Sequence, residues 1–256
     1  MTAFAAEILP VSQSVLIVGF VVFLRVGAAM ALLPAFGERS VPMRARFGVA
    51  AAFTFIVTTA MFQQLAAIVP APSAYLLATE TIAGLSIGIM LRLFVIALQI
   101  AASIAAQSTS LSQLFGGATT EPLPAIGHLL VIAGLALAVG SGLHIKLAEM
   151  FVLSYRVIPV GTFPDVGQWT NWQVGQVSRM FGLAFALAAP FVAASFLYNI
   201  TLGVINRAMP QLMVALVGAP AIAAGGLIIL ALASPYLLSL WLEALDTFLD
   251  APFASV

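Results

Sequence analysis

Residues 47–69 read FGVAAAFTFIVTTAMFQQLAAIV, without one charged side chain. A bilayer core is about 30 Å thick, so a helix needs roughly 20 apolar residues to cross it. This stretch meets that length unaided. In lipid the backbone must satisfy its own hydrogen bonds, which makes helix the default conformation. Five more stretches pass the same ruler. Residues 8–36 carry Arg25, and residues 74–106 carry Glu80 and Arg92. Residues 123–153 hold His128, His144, Lys146 and Glu149. Residues 177–205 and 212–242 complete the set. The expected fold is therefore all-α: a polytopic membrane protein of about six long, kinked apolar helices.

Composition agrees. The 256-residue chain is 62% apolar and 7% charged, against about 45–50% and 25% for an ordinary soluble domain. Nine basic and nine acidic residues cannot solvate a globular surface of this size. The formal net charge of +0 provides no field for nucleic acid. Cysteine is absent, which removes disulfides, thiolate metal sites and a thiol nucleophile. No basic residue precedes Arg25, so the first apolar stretch reads as a retained span rather than a signal peptide.

Proline marks the joints. Pro34 and Pro42 bracket the first loop, Pro70 and Pro72 the second, and Pro159 and Pro164 the fourth. Pro190, Pro220 and Pro235 lie inside spans, where kinks are expected. Pro220 with Gly225 and Gly226 marks a candidate break in the last span. Arg39, Arg44 and Arg46 face Glu38 alone in the first loop, which places that loop in the cytoplasm by charge bias. Residues 107–120 read QSTSLSQLFGGATT, polar and uncharged. Two readings stand for this loop. In solvent it is a connector; at membrane depth it must line a cavity or be buried in protein, as a gate or plug would.

Arg25, Glu80 and Arg92 lie well inside apolar spans. A central Arg costs about 2.5–3.5 kcal/mol on insertion scales, so Arg25 needs protein, water or a carboxylate. Glu80 is a candidate partner. Arg92 is too far from Glu80 along one helix to pair with it. Either a structural lock between helices or a transport path explains such charges. His144, Lys146 and Glu149 read as a helix end at the water boundary rather than a metal site, since the spacing does not converge ligands. No metal, cofactor or catalytic site is expected: the nucleophile-elbow, zincin and P-loop motifs are all missing. Gly84 and Gly88 make a small-x-x-x-small pair, which permits close helix packing.

Three strings together resemble one family, the FliR/SctT export-gate membrane proteins. Residues 23–50, FLRVGAAMALLPAFGERSVPMRARFGVA, are similar to its opening pattern through Arg25, Pro34, Phe36, Gly37, Pro42, Arg44 and Arg46. Residues 141–161 resemble its His-bearing stretch through His144, Pro159 and Gly161. Residues 197–220 resemble its Leu-Gly, Arg, Pro-Gln run through Arg207, Pro210 and Gln211. The resemblance implies a non-enzymatic core subunit of a type III protein export gate. The implied partners are FliP, FliQ, FlhB and FlhA, with membrane lipid and unfolded export substrates. It implies a FliP-like part over about 1–175 and a FliQ-like hairpin over about 176–250. It also implies an inner-membrane position at the flagellar basal body, or an injectisome counterpart. The pore plug would comprise Gln107, Ser108, Thr109, Ser110, Leu111, Ser112, Gln113, Leu114, Phe115, Gly116 and Gly117. A small-molecule permease is the competing class, but no internal repeat supports it. On the export-gate reading, apolar helices face partner subunits as much as lipid, and the isolated chain should be unstable.

Overall fold

The computed structural model describes residues 2–38, 41–69, 73–109, 125–209 and 214–254. Among these, helices are α1 (Thr2–Met30), α2 (Met43–Ala66), α3 (Ala74–Thr109), α4 (Ala125–Gly140), α5 (Leu143–Val157), α6 (Val166–Ala208) and α7 (Val214–Asp250). Five are long and apolar enough to cross a membrane, or six spans if α4 and α5 count as one broken span. The all-helical membrane architecture expected from hydropathy is present.

The boundaries differ from that expectation in instructive places. α1 stops at Met30, short of Phe36. Pro34 lacks an N–H and disfavours helix at Leu33. The chain turns instead, with Ala35 at φ 63° and the Gly37 amide donating to the Leu33 carbonyl at 2.8 Å. The fourth span is not continuous: Gly142 has φ 91° and separates α4 from α5. Glycine takes this left-handed conformation at little cost. Conversely, α7 runs unbroken past Pro220, Gly225 and Gly226. One proline removes one helical bond, whereas unwinding in an apolar setting would strand several more backbone groups.

α6 starts well before residue 177, at Val166. Asp165 sets that start: its carboxylate accepts from the Gln168 amide at 2.9 Å. Side-chain acceptors of this kind satisfy the orphan donors of a first helical turn. The added turns place Trp169 and Trp172 in a cluster with Phe248 and Phe253. Polar Gln168, Asn171 and Gln173 hide these turns from a hydropathy ruler.

The chain divides into two compact units that interleave along the sequence. The first comprises residues 1–93, 139–177 and 247–256. Here α1 packs on α2 and α2 on α5. Its centre is a chain of edge-to-face rings, Phe36 to Phe53 at 6.2 Å and Phe53 to Phe151 at 6.1 Å. The second unit comprises residues 94–138 and 178–246. Its centre is Trp241, fully buried, whose indole N–H donates to the Phe94 carbonyl at 2.9 Å. Trp241→Phe is expected to cost about 1–2 kcal/mol for that bond. Trp241→Ala is expected to cost about 3–5 kcal/mol, because the ring's volume is lost as well. Thermal melts of the detergent-extracted protein would rank the two.

α3, α6 and α7 have 36, 43 and 37 residues. At about 1.5 Å per residue each is far longer than a ~30 Å hydrocarbon core. Only 28% of the apolar window of α6, and 17% of that of α7, is buried within the chain. Phe185, Phe196, Leu232 and Tyr236 are all more than half exposed. Apolar surface on this scale must be covered by lipid or by other protein.

Candidate functional site

Arg25 of α1 and Glu80 of α3 are both fully buried. The Arg25 Nε donates to Glu80 Oε2 at 2.8 Å, and Nη2 donates to Oε1 at 3.1 Å. The remaining Nη1 donates to Ser154 Oγ on α5 at 3.3 Å. The guanidinium carbon lies 3.9 Å from the centre of the Tyr155 ring, a cation–π contact. Glu80 Oε1 also accepts from the Gly161 amide at 3.1 Å, in the loop after α5. Four segments thus meet on one ion pair. The forked guanidinium matches both carboxylate oxygens, the arrangement in which such pairs are strongest. Burial penalises each ion alone, so the two depend on one another.

The pair forms because α1 and α3 approach unusually closely. A Cβ at Gly84 would collide with the Arg25 carbonyl, and one at Gly88 would lie 2.8 Å from that of Ala29. Glu80, Gly84 and Gly88 are four residues apart, so they share one face of α3. The same face therefore supplies the acid and the clearance it needs. Gly161 has φ 71°, a conformation that aims its N–H at Glu80 and suits glycine. The Pro159 carbonyl accepts from both the Thr162 amide and hydroxyl, which closes the turn. Phe163 then stacks edge-on against Tyr75, at 5.6 Å.

Arg92 takes a different partner. It pairs with Glu38, in the segment after α1. The Glu38 and Val41 carbonyls in turn accept from Arg46. Pro42 precedes α2, and its carbonyl accepts from the Ala45 and Arg46 amides. Phe36 reaches the ring chain, and at Gly37 a Cβ would press on the Ala31 and Leu33 carbonyls at 2.9 Å. Pro34, Phe36, Gly37, Pro42, Arg46 and Arg92 therefore build one braced turn. Arg44 is exposed, as are Pro159, His144 on α5 and Arg207 near the end of α6. His144 opens α5 rather than ending a span, because the break at Gly142 precedes it. Among the described residues no three His, Asp or Glu side chains converge on a metal position.

α3 runs further than expected. Gln107, Ser108 and Thr109 form the last turn of α3. Ser110, Leu111, Ser112, Gln113, Leu114, Phe115, Gly116 and Gly117 lie outside the described residues, as do Pro210 and Gln211. Glu80 was one candidate partner for Arg25 from the sequence, whereas Ser154 and Tyr155 at Arg25 and the Gly161 amide at Glu80 were not anticipated. The signal was available: a guanidinium has five donors, and one carboxylate cannot satisfy them.

The Arg25–Glu80 and Arg92–Glu38 pairs tie segments together from within while large apolar side chains face outward, which defines a polytopic helical membrane protein. A match to the family described as Bacterial export proteins, family 1, covers residues 16–248. The chain belongs to that family. It is 29% identical to the flagellar biosynthetic protein FliR of Caulobacter vibrioides, over 91% of this chain and 94% of that one. It is 28% identical to the FliR protein of Bacillus subtilis over 78% and 79%, and 24% identical to that of Escherichia coli over 83% and 82%. These relatives carry the names of biosynthetic proteins, not of enzymes.

Proposed function

We propose that the chain is a core subunit of the flagellar type III protein export gate. It assembles with FliP and FliQ into the channel through which unfolded flagellar proteins cross the inner membrane, at the basal body. FlhB and FlhA are further partners. The observation that carries this reading is the family match over residues 16–248, with flagellar biosynthetic proteins as relatives along nearly the full chain. The uncovered faces of α6 and α7 support it, since a subunit of an obligate complex leaves such faces for its neighbours. The same faces fit a FliQ-like hairpin over about 176–250, following a FliP-like part over about 1–175.

The chain's role in this reading is structural. The Arg25–Glu80 tie fixes α1, α3 and α5 as a rigid frame, and α3 leads from that frame into the loop at 107–117. That loop acts as the plug of the closed channel. No chemical step is assigned to any residue.

Tagged full-length chain, extracted in mild detergent, is expected to carry FliP and FliQ with it in fixed proportion. Recovery as a stable, well-behaved monomer would contradict the reading. Deleting part of residues 107–117 is expected to make the assembled gate leak ions, raising membrane conductance several-fold. An unchanged conductance would remove the plug role.

A further inference from the structure

A groove of about 510 Å³ lies within the first unit, walled by Ile56 of α2, the face of α5 and the C-terminal end of α7. Its floor is apolar, with Val152, Leu153 and Leu249. Two charges stand on its α5 wall, Glu149 and Arg156. They are seven residues apart, so they lie on one helix face about 10.5 Å apart along the axis. Neither has an ion-pair partner among the described residues. The nearby Asp250 is already paired with Lys146, at 3.0 Å.

Ile145, Glu149, Val152 and Arg156 follow the spacing of a helix-packing seam, at intervals of four, three and four. Ile145 and Ile56 are more than half exposed. The Arg25, Arg92 and Lys146 charges are paired within the chain, whereas these two are held apart across an apolar floor. We propose that this groove receives an α-helix from another polypeptide. That helix presents apolar side chains to Val152, Leu153 and Ile56. It carries a basic residue against Glu149 and an acidic residue about two turns away against Arg156. Charge complementarity favours this occupant over a lipid headgroup. A phosphate would be drawn to Arg156 but repelled by Glu149, and a zwitterionic headgroup holds its two charges only two carbons apart, whereas a helix can set one charge of each sign about two turns apart, opposite Glu149 and Arg156. The inference goes beyond the export-gate reading and stands without it.

The test uses full-length chain in its native membrane. A photocrosslinking residue at Val152 is expected to give one protein adduct. Mass spectrometry of the cross-linked peptide should map it to an apolar helix with a basic and an acidic residue about seven apart. The double reversal Glu149→Lys with Arg156→Glu should lower adduct yield at least tenfold, and reversing the two partner charges should restore it. Both positions are exposed, so an immunoblot should find the chain at its usual level. If the reversed chain is depleted, Glu149→Gln with Arg156→Gln keeps the groove's shape and should lower the yield several-fold. Adducts with lipid alone, a cross-linked peptide without those charges, or a yield indifferent to both substitutions would overturn the proposal.

Discussion

Glu80→Ala is expected to remove most of the folded chain from the membrane. The substitution leaves Arg25 fully buried with its main counter-charge gone. Breaking a buried pair by removing one partner costs about 3–5 kcal/mol. Folded proteins are typically stable by only about 5–15 kcal/mol, so this is a large share of the total. The Gly161 amide also loses its acceptor, which frees the loop after α5. Immunoblots of membrane fractions should show steady-state levels reduced several-fold, and melts of the extracted protein should shift down by many degrees. Replacing both ions, Arg25→Met with Glu80→Met, should recover part of the loss because no lone charge remains. Recovery stays incomplete, since the unpaired Gly161 amide costs about 1–3 kcal/mol. A wild-type level for Glu80→Ala alone would show that the pair is not the tie described here.

Gly84→Ala should be nearly as damaging. The added Cβ would collide with the Arg25 backbone carbonyl, so no flexible side chain can give way. α1 and α3 must separate, and the Arg25–Glu80 bonds stretch with them. Overpacking a tight contact costs about 1–3 kcal/mol, and contact with backbone belongs at the upper end. Gly182→Ala is the matched control, since a Cβ there meets nothing within 4 Å. It should be neutral or slightly stabilising, because alanine favours helix by about 1 kcal/mol over glycine. Equal melting temperatures for the two variants would contradict the close-approach account.

Much of this architecture was legible in the residues themselves. Long apolar runs separated by prolines located the spans, because hydropathy and the missing proline N–H act locally. Arg25 and Glu80 were readable as candidate partners because a charge in an apolar run must find its opposite. Gly84 and Gly88 announced a close helix contact by spacing alone. What escaped the sequence depends on tertiary geometry. The break at Gly142 looks like any glycine in an apolar run until its φ is known. The early start of α6 hangs on Asp165 capping a polar first turn that hydropathy ignores. Arg92 found Glu38 rather than a partner within a span, because the turn at 34–37 folds that segment back toward α3. Gly161 reaches Glu80 through its backbone N–H, and no side-chain reading anticipates a backbone donor.

The apolar excess of the sequence also takes on a sharper meaning. Hydropathy reports that side chains avoid water, but not what replaces it. The fold buries α3 more thoroughly than α2, α6 and α7, so these three leave the larger share of their apolar windows for partners or lipid.

The most direct test of the central claim is protein export itself. In a strain lacking this chain, flagellar subunits should accumulate inside the cell and be absent from the medium. Reintroducing the wild-type chain should restore their secretion, while Glu80→Ala should not. Normal secretion of flagellar subunits by the deletion strain would contradict the account.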